Sequence, residues 1–372
     1  MMRSERLTRP AVAPHSGLVL FLRTHEGGKA FGVEAREAGT GAVRWSSAPW
    51  KPSGRTAEFR ADDVQLVVTS KNGKDFAALV APAQEGVDAV DRGVATAIAA
   101  IFAADSAGKG VAPVREVKVP GAGTATPHDS AGTLAFADGT GARVVDVTTG
   151  AVGSRLDRGS REYLLKVDQY FRMDDAWPSQ DVLPTGAQKE DVPNHGTSHG
   201  VRGGHVAASW PSKKEESSSL GLPMNFVWAL HEERTGKPVY ALACEGLTEG
   251  GGIGSESRAV LSDNGRYLVT GYVAFDLQAK KGYCFGGTRD RTRVDFMGVD
   301  NAGTAYGTAR TPGTGVPVSV DLATGAHAEL GGATLPTRVT GDVALYATAP
   351  QNEKDPAADP ARHPVLRVYP KR

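Results

Sequence analysis

Cysteine is nearly missing from this chain: Cys244 and Cys284 are the two among 372 residues. So few exclude the disulfide framework of small secreted domains. With Cys244 at the end of one outer strand and Cys284 at the start of the next, two unpaired thiols are expected. No run of about 18 apolar residues occurs, which argues against a membrane-spanning helix and predicts no membrane insertion. The segment Met1-Met2-Arg3-Ser4-Glu5-Arg6 is polar and no apolar stretch follows it, so it does not read as a signal peptide. The expectation is a soluble protein, cytoplasmic, or secreted if an export signal has been removed.

Charge of one sign is also lacking. Lys plus Arg and Asp plus Glu each number 42, for a formal net charge of zero, so no global field draws the chain to nucleic acid or to an acidic surface. The densest basic run, Arg289-Asp290-Arg291-Thr292-Arg293, alternates in sign and reads as a solvated loop. Several motifs that carry chemistry are missing as well: a P-loop, H-E-x-x-H, Cys-x-x-Cys, and G-x-G-x-x-G between a strand and a helix. Gly250-Gly251-Gly252-Ile253-Gly254 follows an apolar run but opens no helix, and reads as a connecting loop.

Turns are plentiful. With 46 Gly, 22 Pro and 40% hydrophobic residues, the chain can bury large cores while being broken into short runs. Four times an acidic residue is followed, three and four positions on, by Thr-Gly: Glu37 with Thr40-Gly41, Asp146 with Thr149-Gly150, Glu232 with Thr235-Gly236, and Asp321 with Thr324-Gly325. Each lies between apolar runs, as a hairpin turn does when Gly takes positive φ and the acidic residue closes the preceding strand. Asp276-Leu277-Gln278-Ala279 running into Lys280-Lys281-Gly282 is a degenerate copy, and Asp105-Ser106-Ala107-Gly108 and Thr185-Gly186 are weaker ones. A second series alternates with the first, as at His15-Ser16-Gly17, Asn72-Gly73, Asp129 to Gly132, Asp263-Asn264-Gly265, Asp300 to Gly303 and Gly341-Asp342, each preceding an apolar run. Two hairpin turns per unit of about 40 to 50 residues give about four strands per unit, the blade of a β-propeller.

Ser262-Asp263-Asn264-Gly265-Arg266-Tyr267-Leu268-Val269, followed by Ala274-Phe275-Asp276-Leu277, resembles the blade repeat of WD40-like, YVTN-type and quinoprotein-like bacterial propellers. The resemblance covers most of the chain. It implies an all-β fold, a single propeller of four-stranded antiparallel blades over residues 1–372, and a function among scaffolds, sensors, lactonases and dehydrogenases. Seven blades of about 53 residues are favoured over eight of about 46. The decisive stretch, Arg161 to Gly204, is either one irregular blade or a long loop. The segment around Leu7 to Ala13 is expected to supply the outer strand that Pro364 to Tyr369 lacks, closing the ring. Long loops are expected near residues 82–93, 174–204, 211–223 and 351–362. Val87, Val90, Val94, Ile98 and Ile101 recur at helical spacing, leaving a helix or a strand from Val94 to Ala103 open, with the strand preferred for register.

Candidate chemistry comes down to two places. His195, His199 and His205 form an H-x3-H-x5-H array able in principle to hold Zn²⁺ or Cu²⁺, but without a Cys or nearby carboxylate to complete it. Asp174, Asp175 and Trp177 put paired carboxylates beside an aromatic ring in a long connection, suited to binding a cation, sugar or peptide or to acting as a general acid/base pair. No resident cofactor is expected beyond a possible divalent metal. The favoured reading is a monomeric, non-catalytic propeller that recognises a protein, peptide or glycan. The alternative is a hydrolase, lactonase or quinoprotein-like enzyme working at the channel mouth.

Overall fold

Apolar runs broken by Gly-containing turns become strands that pair with their chain neighbours, and seven sheets result among the described residues, five of them four-stranded. The computed structural model describes residues 10–53, 63–87, 92–122, 126–130, 132–138, 140–177, 182–187, 196–212, 225–245, 258–288, 291–311, 314–330, 338–340, 343–348 and 365–370. Two compact units are formed, Met1–Arg158 with Ala347–Arg372, and Gly159–Tyr346. No helix among the described residues is long and apolar enough to cross a membrane.

In the first unit, β1 (Ala11–Ala13), β2 (Leu18–His25), β3 (Ala30–Glu37) and β4 (Val43–Ser47) form an antiparallel meander. The next sheet contains β5 (Gln65–Lys71), β6 (Lys74–Val87) and β7 (Arg92–Ala103). After β7 the chain adds β8 (Gly108–Val111) in parallel to β4, then returns as β9 (Arg115–Pro120) beside β7. β10 (Thr126–Ser130), β11 (Thr133–Ala137), β12 (Gly141–Asp146) and β13 (Leu156–Asp157) make the third meander. First strands lie side by side, β1 next to β5 and β5 next to β10.

That stacking buries the middle strands on both faces, and alternate residues go to different cores. Ala77, Leu79 and Ala81 of β6 with Ile98, Ala100 and Phe102 of β7 pack against the first sheet. Ala78 and Val80 with Ala97, Ala99 and Ile101 pack against the third. The helical spacing of Val87 to Ile101 is therefore incidental: an Ala-rich, doubly buried strand has no polar face to reveal its period of two. Residues 82–87 and 92–93 are the ends of this long hairpin, not a connection between sheets. Ala11–Ala13 likewise differs from expectation. It pairs with β2 as the first strand of the first sheet, so it is not an outer strand completing the last one.

The second unit opens with α1 (Arg161–Tyr163), capped by Ser160, a π-turn over Leu164–Asp168, and α2 (Met173–Ala176). The stretch left open in the sequence thus contains helical turns and no four-stranded sheet among the described residues. Thr185-Gly186 is a turn, with no strand beside it among the described residues 182–187. Regular meanders follow: β14 (Thr197–Arg202), β15 (His205–Pro211), β16 (Asn225–Glu232) and β17 (Pro238–Glu245); β18 (Val260–Leu261), β19 (Tyr267–Thr270), β20 (Val273–Asp276) and β21 (Lys281–Cys284); β22 (Val294–Val299), β23 (Thr304–Thr311), β24 (Thr314–Asp321) and β25 (His327–Glu329). β26 (Arg338–Thr340) pairs with β27 (Val343–Thr348), and β28 (Val365–Pro370) belongs to the first unit. Residues 213–224 and 349–364, which cover most of one expected long loop and all of another, lie outside the described residues.

The acidic Thr-Gly turns join the third and fourth strands of their meanders and share one chemistry. Asp146 Oδ1 accepts from Thr148 N at 2.8 Å, Thr149 N at 3.0 Å and Thr148 Oγ1 at 2.6 Å. Gly150 N donates to Asp146 O at 2.8 Å with Gly150 at φ 76°. Asp321 repeats the pattern with Thr324. In the degenerate copy the residue four after the acid is Lys280, at φ 51°, and not Gly282. Lys280 is thus the positional equivalent of Gly41, Gly150, Gly236 and Gly325.

Cys244 and Cys284 are joined in a disulfide with Cα atoms 5.5 Å apart, against the expectation of separate thiols. The reason lies in strand order. Cys284 ends β21 instead of beginning its strand, and Cys244 stands next to last in β17, so the two meet at the same end of neighbouring fourth strands.

Candidate functional site

The face of the β14–β17 sheet turned toward Phe171 and Val182 collects Met173, Trp177, Trp210 and Val227 in one core. Trp177 belongs to that core. Its ring lies 6.2 Å from Phe171, with Arg161 Cζ 5.0 Å above it. It also packs on Gly236, where a Cβ would stand 2.5 Å from the indole. Asp174 pairs with Arg172 at 3.1 Å, and Asp175 is exposed on the helical turn. The three residues therefore do not form one site, because a four-residue helix sends Trp177 into the core and the carboxylates toward solvent.

His195 lies outside the described residues. His199 sits in a β-bulge of β14 between Ser198 and Gly200, a feature often found beside functional sites. Gly200 takes φ 145° there, with the Ala259 Cβ 3.0 Å from where its own would be. The bulge turns the imidazole between the β14–β17 and β18–β21 sheets, where it is 2% exposed. Nε2 is 2.8 Å from Ser209 Oγ, and Nδ1 has no hydrogen-bond partner among the described residues. Burial pushes its pKa down to about 4, so the ring is neutral at pH 7.

Aromatic rings continue from it in both directions. Tyr170, 44% exposed, presents its edge at 5.9 Å. On the inner side Trp228 lies at 4.8 Å, Tyr272 stands edge-on to Trp228 at 5.2 Å, and Arg293 Cζ is 4.6 Å over Tyr272. Asp295 fixes the cationic end, accepting from Arg293 Nε at 2.7 Å and Arg310 Nε at 2.8 Å. This is a stacked slot with one exposed ring at its edge and no carboxylate among the described contacts of the histidine.

His205 is not brought to His199. It pairs with Arg202 beside the β14–β15 turn, and its Nδ1 is 2.9 Å from Gly203 O. No group of three or more His, Cys, Asp or Glu among the described residues is placed to share a metal ion. His205 instead lines a separate cleft of about 90 Å³ with Leu230, Val239, Tyr240, Phe275, Asp276, Leu277, Lys280 and Lys281.

Sequence reasoning missed three things here. Gly196-Thr197-Ser198-His199-Gly200 matches the spacing of a nucleophile elbow, but it is strand, not a strand-to-helix turn. Ser198 is fully buried and its Oγ donates to Gln169 O at 2.9 Å. His231 lies within β16 and belongs to no motif; its Nδ1 donates to Gly236 O at 2.9 Å, Nε2 accepts from Trp210 Nε1 at 3.1 Å, and burial lowers its pKa to about 4. The partners of His199, Ser209, Tyr170 and Trp228, come from strands and turns tens of positions apart, and the stack continues to Arg293, a convergence without local signal.

No protein-family model matches the chain, and no curated protein matches it. Among solved structures it is similar to the β-propeller domain of Cps50 (Swd1) from Myceliophteria thermophila, at 10% identity and TM-score 0.43 over 99% of this chain and 98% of that one. It is also similar to dipeptidyl peptidase 4 of Porphyromonas gingivalis, at 10% identity and TM-score 0.39 over 93% of this chain and 50% of that one. A third similarity is to the β-propeller domain of the Trilobed protease from Pyrococcus furiosus, at 10% identity and TM-score 0.36 over 88% and 84% of the two chains.

Proposed function

We propose that the chain is a single seven-bladed β-propeller that binds a protein, peptide or glycan through the slot edge at Tyr170, without transforming it. The observation that carries this reading is the exposed Tyr170 ring set against the buried His199, Trp228 and Tyr272 stack. An aromatic ring on a packed support offers contact area with little ordering entropy left to lose. The neutral, buried His199 imidazole packs behind the Tyr170 ring as part of that support. The Cys244–Cys284 bridge further supports an oxidising compartment, the secreted alternative of the two left open by the sequence.

Glycan and peptide arrays probed with the full chain test the binding reading. Hits that weaken about tenfold or more in Tyr170→Ala, while melting is unchanged, are expected. Hits insensitive to Tyr170 would place recognition elsewhere. A second reading, hydrolysis, starts from the 2.8 Å separation of His199 Nε2 and Ser209 Oγ and requires the stack above them to open, since both side chains are buried. A fluorophosphonate probe that labels the wild type but not Ser209→Ala would establish it, and an unlabelled protein would remove it.

A further inference from the structure

The cleft between β15–β17 and β20–β21 combines three features that the aromatic slot does not have. Its walls are largely apolar, from Leu230, Val239, Tyr240, Phe275 and Leu277 with His205 beside them, and Val239 is 48% exposed there. About 90 Å³ admits one aliphatic side chain, not a ring system with substituents. Its charge is one-sided. Asp276 is consumed by Arg266 at 2.8 Å and by the amides of Gln278 and Ala279, and the arginine holds its carboxyl below the usual range. Lys280 and Lys281 then remain as exposed cations on the rim, Lys281 resting over Tyr283 and Lys280 with no ion pair among the described residues.

Lys280 carries a second clue. It fills the left-handed position that Gly occupies in four sister turns. A side chain there strains the backbone, and strain of this kind clusters at ligand contacts. The turn would be more stable with Gly, so the cation is retained at a cost.

We infer that this cleft captures the carboxy-terminal residue of a partner polypeptide, its aliphatic side chain against Val239 and Leu277 and its α-carboxylate on Lys280. The small volume favours a terminal residue, because side chain and carboxylate must then belong to the same amino acid. This inference stands apart from the Tyr170 reading, and neither needs the other.

N-acetyl-leucine and N-acetyl-leucinamide, differing only in the carboxylate, are the probes, titrated against the full chain by saturation-transfer NMR. The acid is expected to bind about fivefold more tightly than the amide, as suits one partly exposed ion pair, with the difference shrinking in 0.5 M salt. Lys280→Gly should erase the preference while raising the melting temperature, so misfolding cannot explain the loss. Val239→Glu should reduce binding of both probes, and Tyr170→Ala should change neither. Equal binding of acid and amide, a preference that survives Lys280→Gly, or no saturable signal for either probe would overturn the assignment. So would N-acetyl-leucyl-aspartyl-amide binding as tightly as N-acetyl-leucine, since the carboxylate would then be a side chain's.

Discussion

At the scale of single residues, two buried histidines stay neutral for the same reason, burial, with different partners. His231 has both nitrogens satisfied, whereas His199 has one shared with Ser209 and one without a described partner. Both have folded pKa values near 4 against an ordinary value of 6.5. Between these limits the unfolded chain binds more protons than the folded one, so stability rises with pH. The stabilisation is complete above about pH 6.5 and is lost as pH falls toward 4, on the order of 3 kcal/mol for each histidine. Asp146, held low first by Lys71, and Asp138, held low first by Arg155, lose their contributions only below that window. Denaturant midpoints at pH 7, 5.5 and 4.5 should fall steeply in the wild type and less in His231→Gln. Parallel curves would show that His231 is not neutral and buried. Neither histidine's environment was legible locally. An alternating strand pattern announces burial, but hydrogen-bond partners 5 to 21 residues away depend on how strands pair.

At the scale of elements, the recurring turn is one chemical device in several surroundings. Gly236 and Gly325 have nearly the same φ, 72° and 74°. A methyl at Gly325 meets only an arginine tip at 3.9 Å, whereas at Gly236 it would enter the Trp177 ring. Gly325→Ala should therefore cost about 1–2 kcal/mol from left-handed strain alone. Gly236→Ala should cost about 2–4 kcal/mol, since overpacking adds to the strain. Equal losses in urea unfolding would refute the Trp177 contact. The turns were readable because Asp, Thr and Gly do their work within five residues. In the β6–β7 hairpin the strand from Val94 to Ala103 was the preferred reading, but its pairing through residues 82–93 was not legible, since double burial removes the alternation that marks a strand. The β8 excursion to β4 left no trace at all, because parallel pairing across sheets depends on tertiary placement.

At the scale of the molecule, the disulfide ties fourth strands of successive sheets across a separation of 40 residues. Cross-linking a loop of that length constrains the unfolded chain by on the order of 4 kcal/mol in the chain-entropy treatment. Cys244→Ser/Cys284→Ser should lower the thermal midpoint by several degrees, and reductant should do the same to the wild type without affecting the variant. Two reactive thiols in the untreated native protein, measured with a thiol reagent, would contradict the bridge.

The repeat, the strand-rich class and the turn positions were already determined by the sequence, because each rests on contacts within a few residues or on a period of strands and turns. The site was decided only by the tertiary structure. Trp177 became core, His199 acquired Trp228, Tyr272 and Arg293, and Cys244 found Cys284, since all of these depend on which strand faces lie opposite when sheets stack. That choice is made by side-chain volume and register across tens of residues, and no local pattern encodes it.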